Sequence, residues 1–212
     1  MSGRIVGCVA VMCAVVAPMA AHATSVEKIR NEKVIVTEVT LAPDQVEMPN
    51  PAHADLVVYM SDGRAKVSFP GAPEFPVTAK PGGTTFLPGG VKVVQNVGDS
   101  PLHLVLIEFL TGGEDETWGM NGLPATYKMV REDRYARVYE IKVPAGAHEP
   151  QHTHHARVVV CLSGGEMEHI LPDGTKQLAT PKTGDIVWRE AATHAGHNLG
   201  KTELWEIVVE PK

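Results

Sequence analysis

The chain has 212 residues, a formal net charge of −6, three cysteines and no cluster of Lys or Arg. That length gives room for one or two domains with an apolar core of their own. The acidic balance excludes nucleic acid and anionic membrane as natural partners.

The first 23 residues read as a secretory signal peptide. Arg4 is their only charge, the run Ile5 to Ala17 is apolar, and Ala21-His22-Ala23 is an A-x-A cleavage pattern. The run is too short to span a bilayer, and nothing after it is long enough either, so the expectation is a periplasmic or secreted protein with no membrane attachment once the leader is gone. Cys8 and Cys13 leave with the leader, and Cys161 alone remains, in an apolar run where a packed thiol is expected. With no internal disulfide, the mature chain must be held by a real apolar core.

From Thr24 onward, short Val/Ile/Leu/Thr runs alternate with turn signals: Asp62-Gly63, Pro81-Gly82-Gly83, Asp173-Gly174 and Asn198-Leu199-Gly200. Sixteen prolines and twenty glycines leave few windows with a helical period, the best being Val26 to Lys33. The pattern is all-β, a sandwich or barrel of short strands. It also occurs twice, at a constant offset of 102 positions without gaps. Glu38 pairs with Glu140, Gly82 with Gly184, Asn96-Val97-Gly98 with Asn198-Leu199-Gly200, and Glu108 with Glu210. The expected organisation is a leader (1–23), one β domain (25–110), a Gly-rich charged linker (111–134) and a second copy of the domain (135–212).

The second copy carries "GAHEPQHTHHARVVVCLSGG" at 146–165. Side chains alternate along a strand, so His152 and His154 share a face and their imidazoles converge, an arrangement suited to a metal ion. If no bulge intervenes, Ala156, Val158 and Val160 lie on that same face, with His155 and Arg157 on the other. A third ligand must come from elsewhere. His194, which follows a turn and a short strand, is the candidate, with His197 weaker because its parity is opposite.

These residues resemble the cupin motifs. The first, G-x5-H-x-H-x(3,4)-E-x6-G, is matched by Gly146, His152, His154 and Gly165, with Val158 in place of the glutamate. The second, G-x5-P-x-G-x2-H-x3-N, is matched by Gly184, His194 and Asn198, without its Pro and inner Gly. The likeness covers both halves and implies two tandem cupin-type antiparallel jelly-roll β-barrels, a bicupin. In the first half the ligand positions become Asn50, Ala52 and Lys92, while Gly82, Pro88, Gly90 and Asn96 keep the turn chemistry. That half is expected to be a degenerate cupin without metal ligands and with a structural role.

The offset sorts the remaining polar residues. His155 and Glu149 match His53 and Glu47 in the half without ligands and read as structural. His148, His197 and Glu206 face Val46, Gln95 and Leu104 and are peculiar to the half with the site. His148 is a catalytic candidate set against an exposed loop position before Pro150. Glu206 is a second, as carboxylate or base if its face is interior and a solvent-facing strand residue otherwise. His169, near the Asp173-Gly174 turn, is expected at the surface, His103 as a hydrogen-bonded barrel residue, and Trp188 and Trp205 as core or pocket wall.

Three neutral imidazoles would leave a divalent cation its full charge and open positions. Some cupin dioxygenases use three histidines without the glutamate. That resemblance implies a metal-dependent enzyme of dioxygenase type, with isomerase or lyase second, and Fe2+ favoured over Zn2+, Mn2+, Ni2+ or Cu2+. The missing carboxylate favours a small anionic chelating substrate. The other reading is a non-catalytic metal- or ligand-binding module. Cupins often dimerise, but two fused copies can meet that need within one chain, so monomer and homodimer both stand.

Overall fold

The computed structural model describes residues 23–112 and 123–212; residues 1–22 of the expected leader and 113–122 of the expected linker lie outside them. The first half contributes β1 (Thr24–Arg30), β2 (Val34–Leu41), β3 (Val46–Glu47), β4 (Ala54–Tyr59), β5 (Gly63–Ser68), β6 (Phe75–Ala79), β7 (Thr84–Leu87), β8 (Val93–Asn96) and β9 (Leu102–Phe109). The second contributes β10 (Tyr127–Glu132), β11 (Ala136–Val143), β12 (His148–His154), β13 (Arg157–Ser163), β14 (Met167–Ile170), β15 (Lys176–Ala179), β16 (Ile186–Arg189), β17 (Ala192–Asn198) and β18 (Leu204–Pro211). All pairings are antiparallel. Each half folds a five-stranded sheet (β1-β2-β9-β4-β7, β10-β11-β18-β13-β16) against a four-stranded one (β3-β8-β5-β6, β12-β17-β14-β15), giving two jelly-roll barrels in tandem.

The offset of 102 extends to the finest detail. Strands β2, β7 and β9 map onto β11, β16 and β18 end for end. The register irregularity between Glu27 and Ile29 recurs between Met129 and Arg131. In both halves one asparagine ties the same corner: Asn96 Nδ2 donates to Leu41 O and Ser100 O, and Asn198 Nδ2 donates to Val143 O and Thr202 O, all at 2.8–2.9 Å. Gly82 and Gly184 both turn at positive φ, 77° and 91°, where a side chain would be strained.

One expectation is corrected, and one window is assigned. Val26 to Lys33, the stretch with the best helical period, falls mostly in the edge strand β1. Almost every side chain of β1 is exposed, so no alternation of burial marks it in the sequence. Pairing with β2 decides its conformation. The segment read as linker contains β10, the counterpart of β1, hydrogen-bonded to β11.

Three apolar cores result. One fills each barrel, and a third lies between the two five-stranded sheets, where Val34, Leu56 and Ile107 meet Val138, Val158 and Ile207. At its margin the Phe86 and Tyr135 rings lie 5.6 Å apart and the Arg131 guanidinium sits 4.3 Å above Phe86. These sheets are therefore covered on both faces. That explains why β4, Ala-Asp-Leu-Val-Val-Tyr, is buried at every position and reads as a continuous run rather than an alternation.

Candidate metal centre

His152 and His154 project from β12 into the second barrel, and His194 arrives from β17, where it is the direct Cα partner of His152. All three are buried, and one ring nitrogen from each lies within 4.8 Å of the others. The register slip in β12 falls before His152, so the alternation that unites the pair is intact. His152 Nδ1 donates to Pro150 O at 2.8 Å, because a carbonyl can only accept. This leaves the Nε2 lone pair facing the centre, 3.0 Å from His154 Nε2. His154 Nδ1 is buried without a hydrogen bond, 3.9 Å from Glu210 Oε1.

Desolvation, reinforced by the nearby Arg157 guanidinium, pushes the His154 imidazole down to about 2. Desolvation and the neighbouring His169 and His152 push His194 down to about 3. Both rings are neutral near pH 7, as a metal ligand must be. Buried, convergent, neutral imidazoles fit a divalent transition metal.

The parity expected beyond His154 is overturned. The chain leaves β12 at His155-Ala156 and enters a different sheet as β13, so the alternation restarts. Val158 and Val160 face the core between the barrels. The residues of β13 that reach the interior are Arg157, Val159 and Cys161, which line a cavity of about 90 Å³ together with His154 and His194. The wall beside the histidines is apolar through Val159 rather than Val158, and Arg157 turns inward instead of outward.

Glu206 lines the same cavity from β18. It keeps some exposed area, yet its carboxyl is so surrounded by protein that burial pushes it up to about 7, against the pull of Arg157 and Arg189. His148 does not join it. It lies exposed on the outer face of its sheet, its ring stacked 3.7 Å from that of His197, which is also turned outward. Glu149, expected to be structural, accepts a 2.5 Å hydrogen bond from Thr126 Oγ1, as Glu47 does from Ser25 at 3.1 Å, and it also lines the cavity. Its carboxyl approaches Gly196 so closely that a Cβ there would lie 2.6 Å from Glu149 Oε2. His103 is hydrogen-bonded to Glu38 at 2.8 Å.

Two cavity residues escaped sequence reasoning. Tyr127 lies in the supposed linker, and its hydroxyl is 3.2 Å from His152 Nε2 and 3.1 Å from His154 Nε2. Burial holds its pKa well above the ordinary tyrosine value, so the hydroxyl keeps its proton. His169, expected at the surface, is half-buried on the cavity wall with its ring 4.4 Å from that of His194 and its Nδ1 unpartnered. Tyr127 and His169 correspond to Ser25 and Val67 in the first half, and that difference was the available signal.

The same location in the first barrel is sealed. Lys92, in the place of His194, is fully buried with its Nζ 2.7 Å from Asp55 Oδ2, 2.6 Å from His53 O and 3.0 Å from Asn50 O. Asp55 takes the place of Arg157.

No family model matches the sequence, and no curated protein does. Solved structures match in shape. AerE from Microcystis aeruginosa superposes with a TM-score of 0.68 at 13% identity, over 93% of this chain and 95% of that one. A cupin 2 conserved barrel domain protein from Leptotrichia buccalis gives 0.59 at 12% identity, over 93% of both. A tryptophan-to-tyrosine variant of oxalate decarboxylase from Bacillus subtilis gives 0.58 at 15% identity, over 89% of this chain and 72% of that one. At these identities the likeness concerns architecture, and on that ground the chain has the cupin fold.

Proposed function

We propose that the second barrel holds one divalent transition metal, Fe2+ by preference, on His152, His154 and His194. On this reading the protein is a periplasmic or secreted bicupin enzyme of dioxygenase type, acting on a small anionic chelating molecule. Isomerase or lyase chemistry stands second. The observation that carries the reading is the meeting of three buried ring nitrogens, within 4.8 Å of one another, beside a cavity. When bound, such an ion supplies a Lewis acid and, with iron, a redox centre.

The chain's own groups would do the rest. The Pro150 carbonyl fixes the His152 tautomer. Glu206, with a carboxyl held near 7, is the group able to hold or deliver a proton at its carboxyl oxygen near neutral pH. Val159 and Val187 give the cavity an apolar stretch of wall. The first barrel, sealed by Lys92 and Asp55, would serve as a degenerate, structural partner.

A non-catalytic binding module is the second reading. It is favoured by the Tyr127 hydroxyl, which lies 3.2 and 3.1 Å from two of the ligand nitrogens and can donate its one hydrogen to either. Elemental analysis of the metal-supplemented protein at pH 7.5, followed by oxygen uptake of the iron-loaded form with enolic and thiol compounds, separates the two. About one equivalent of metal is expected, lost in His152→Ala and His154→Ala but kept in His155→Ala. Less than about a tenth of an equivalent overturns both metal readings, and a full equivalent without turnover leaves the module.

A further inference from the structure

Arg157 is 7% exposed, and among the described residues Glu210 and Glu206 attract it without forming an ion pair. One terminal nitrogen, Nη1, donates to the carbonyls of His155 and Glu190, at 3.2 and 3.1 Å, which anchors the side chain. Its Nε is buried without any partner. Directly across the β13–β16 ladder stands Arg189, and both arginines line the cavity that His154 and His194 also line. Because Glu210 and Glu206 attract the guanidinium without pairing with it, its charge is only partly balanced, and an anion entering the cavity would lower the cost of burying it.

We infer that Arg157, supported at the rim by Arg189, is a carboxylate subsite. The molecule taken into this cavity is then a small acid that offers one carboxylate to Arg157 and a second oxygen function to the histidine centre. The bidentate match of guanidinium to carboxylate supports this choice of anion. The cavity limits its size: about 90 Å³, at ~10–15 Å³ for each water-sized group, holds a three- to four-carbon oxo-, hydroxy- or dicarboxylic acid. The histidine end of this assignment rests on the proposed metal site, but the Arg157 end does not.

The test therefore uses the full chain freed of metal by chelator, with malonate as probe and neutral malonamide as its control, read by calorimetry. Malonate should bind the metal-free wild type, and malonamide should not. Arg157→Gln, which retains a donor for the two carbonyls, should bind malonate at least ~30-fold more weakly. Arg189→Gln, at an exposed position that tolerates change, should weaken it several-fold and covers the case in which the Arg157 variant does not fold. Absence of malonate binding, equal binding of malonamide, or unchanged affinity in a folded Arg157→Gln protein overturns the subsite. Loss of metal stoichiometry with malonate binding intact would instead count only against the histidine centre.

Discussion

Replacing Lys92 with Met should expose how the first barrel is closed. The Lys92 and Asp55 side chains are both 0% exposed, and the ammonium lies 2.7 Å from the carboxylate. The substitution leaves that carboxylate and two backbone carbonyls without their cation in an apolar barrel. Breaking such a pair costs about 3–5 kcal/mol, or on the order of 10 °C in melting temperature for a chain of this size. The loss must depend on pH. Even with Lys92 present, desolvation raises the Asp55 carboxyl from 3.8 to about 6. A carboxyl whose folded value is raised favours the folded state fully below 3.8, and that contribution is lost as pH climbs through 6. Without Lys92 the carboxyl rises further, so Lys92→Met should be most damaging at pH 8 and milder at pH 5, where Asp55 can take up a proton. Asp55→Leu/Lys92→Met, which removes both charges, should recover most of the stability. Urea melts of the wild type, the single and the double variant at pH 5 and pH 8 decide the matter. An equal loss at both pH values, or a double variant as weak as the single one, would refute the account.

The second barrel yields three more expectations. His154 and His194 have folded values pushed to about 2 and about 3, below the unfolded 6.5. Their contribution to stability is therefore complete above pH 6.5 and lost as pH falls toward 3. His154→Gln should flatten that acid limb in a series of urea midpoints, and parallel curves would count against the assignment. Tyr127→Phe removes the buried hydroxyl from the histidine pair, which keeps its own 3.0 Å Nε2–Nε2 contact, at ~0.5–1.5 kcal/mol. The metal-free protein should melt lower while gaining more from added Zn2+ than the wild type does, and an equal gain in both would remove Tyr127 from the centre. Gly196→Ala forces a Cβ to within 2.6 Å of the Glu149 carboxylate. It should cost about 1–3 kcal/mol in chemical melts, part of which returns when Glu149→Ala is added.

What could be read in the sequence was what depends on local order. The repeat survives because each strand must meet the same neighbours in both halves, so Asn96 and Asn198 tie identical corners. The convergence of His152 and His154 follows from alternation within one strand. Alternation fails where the chain changes sheets, and at His155-Ala156 it does so within two residues, which sent Val158 outward and brought Arg157 in. Tyr127 and His169 reach the centre from strands whose distance to it is set by pairing rather than spacing.

The duplicated frame makes the difference between the halves a matter of charge. Two buried positions recur at the same place in each barrel. In the first they hold Asp55 and Lys92, an anion and a cation in contact, although burial still raises the Asp55 carboxyl. In the second they hold Arg157 and His194, a cation beside an imidazole held neutral, and among the described residues no carboxylate pairs with either. Burial disfavours an uncompensated charge equally in both barrels. The first answers with a direct ion pair, whereas in the second Glu206 and Glu210 attract Arg157 without pairing with it, and the cavity at Arg157 is where an anion would complete the balance.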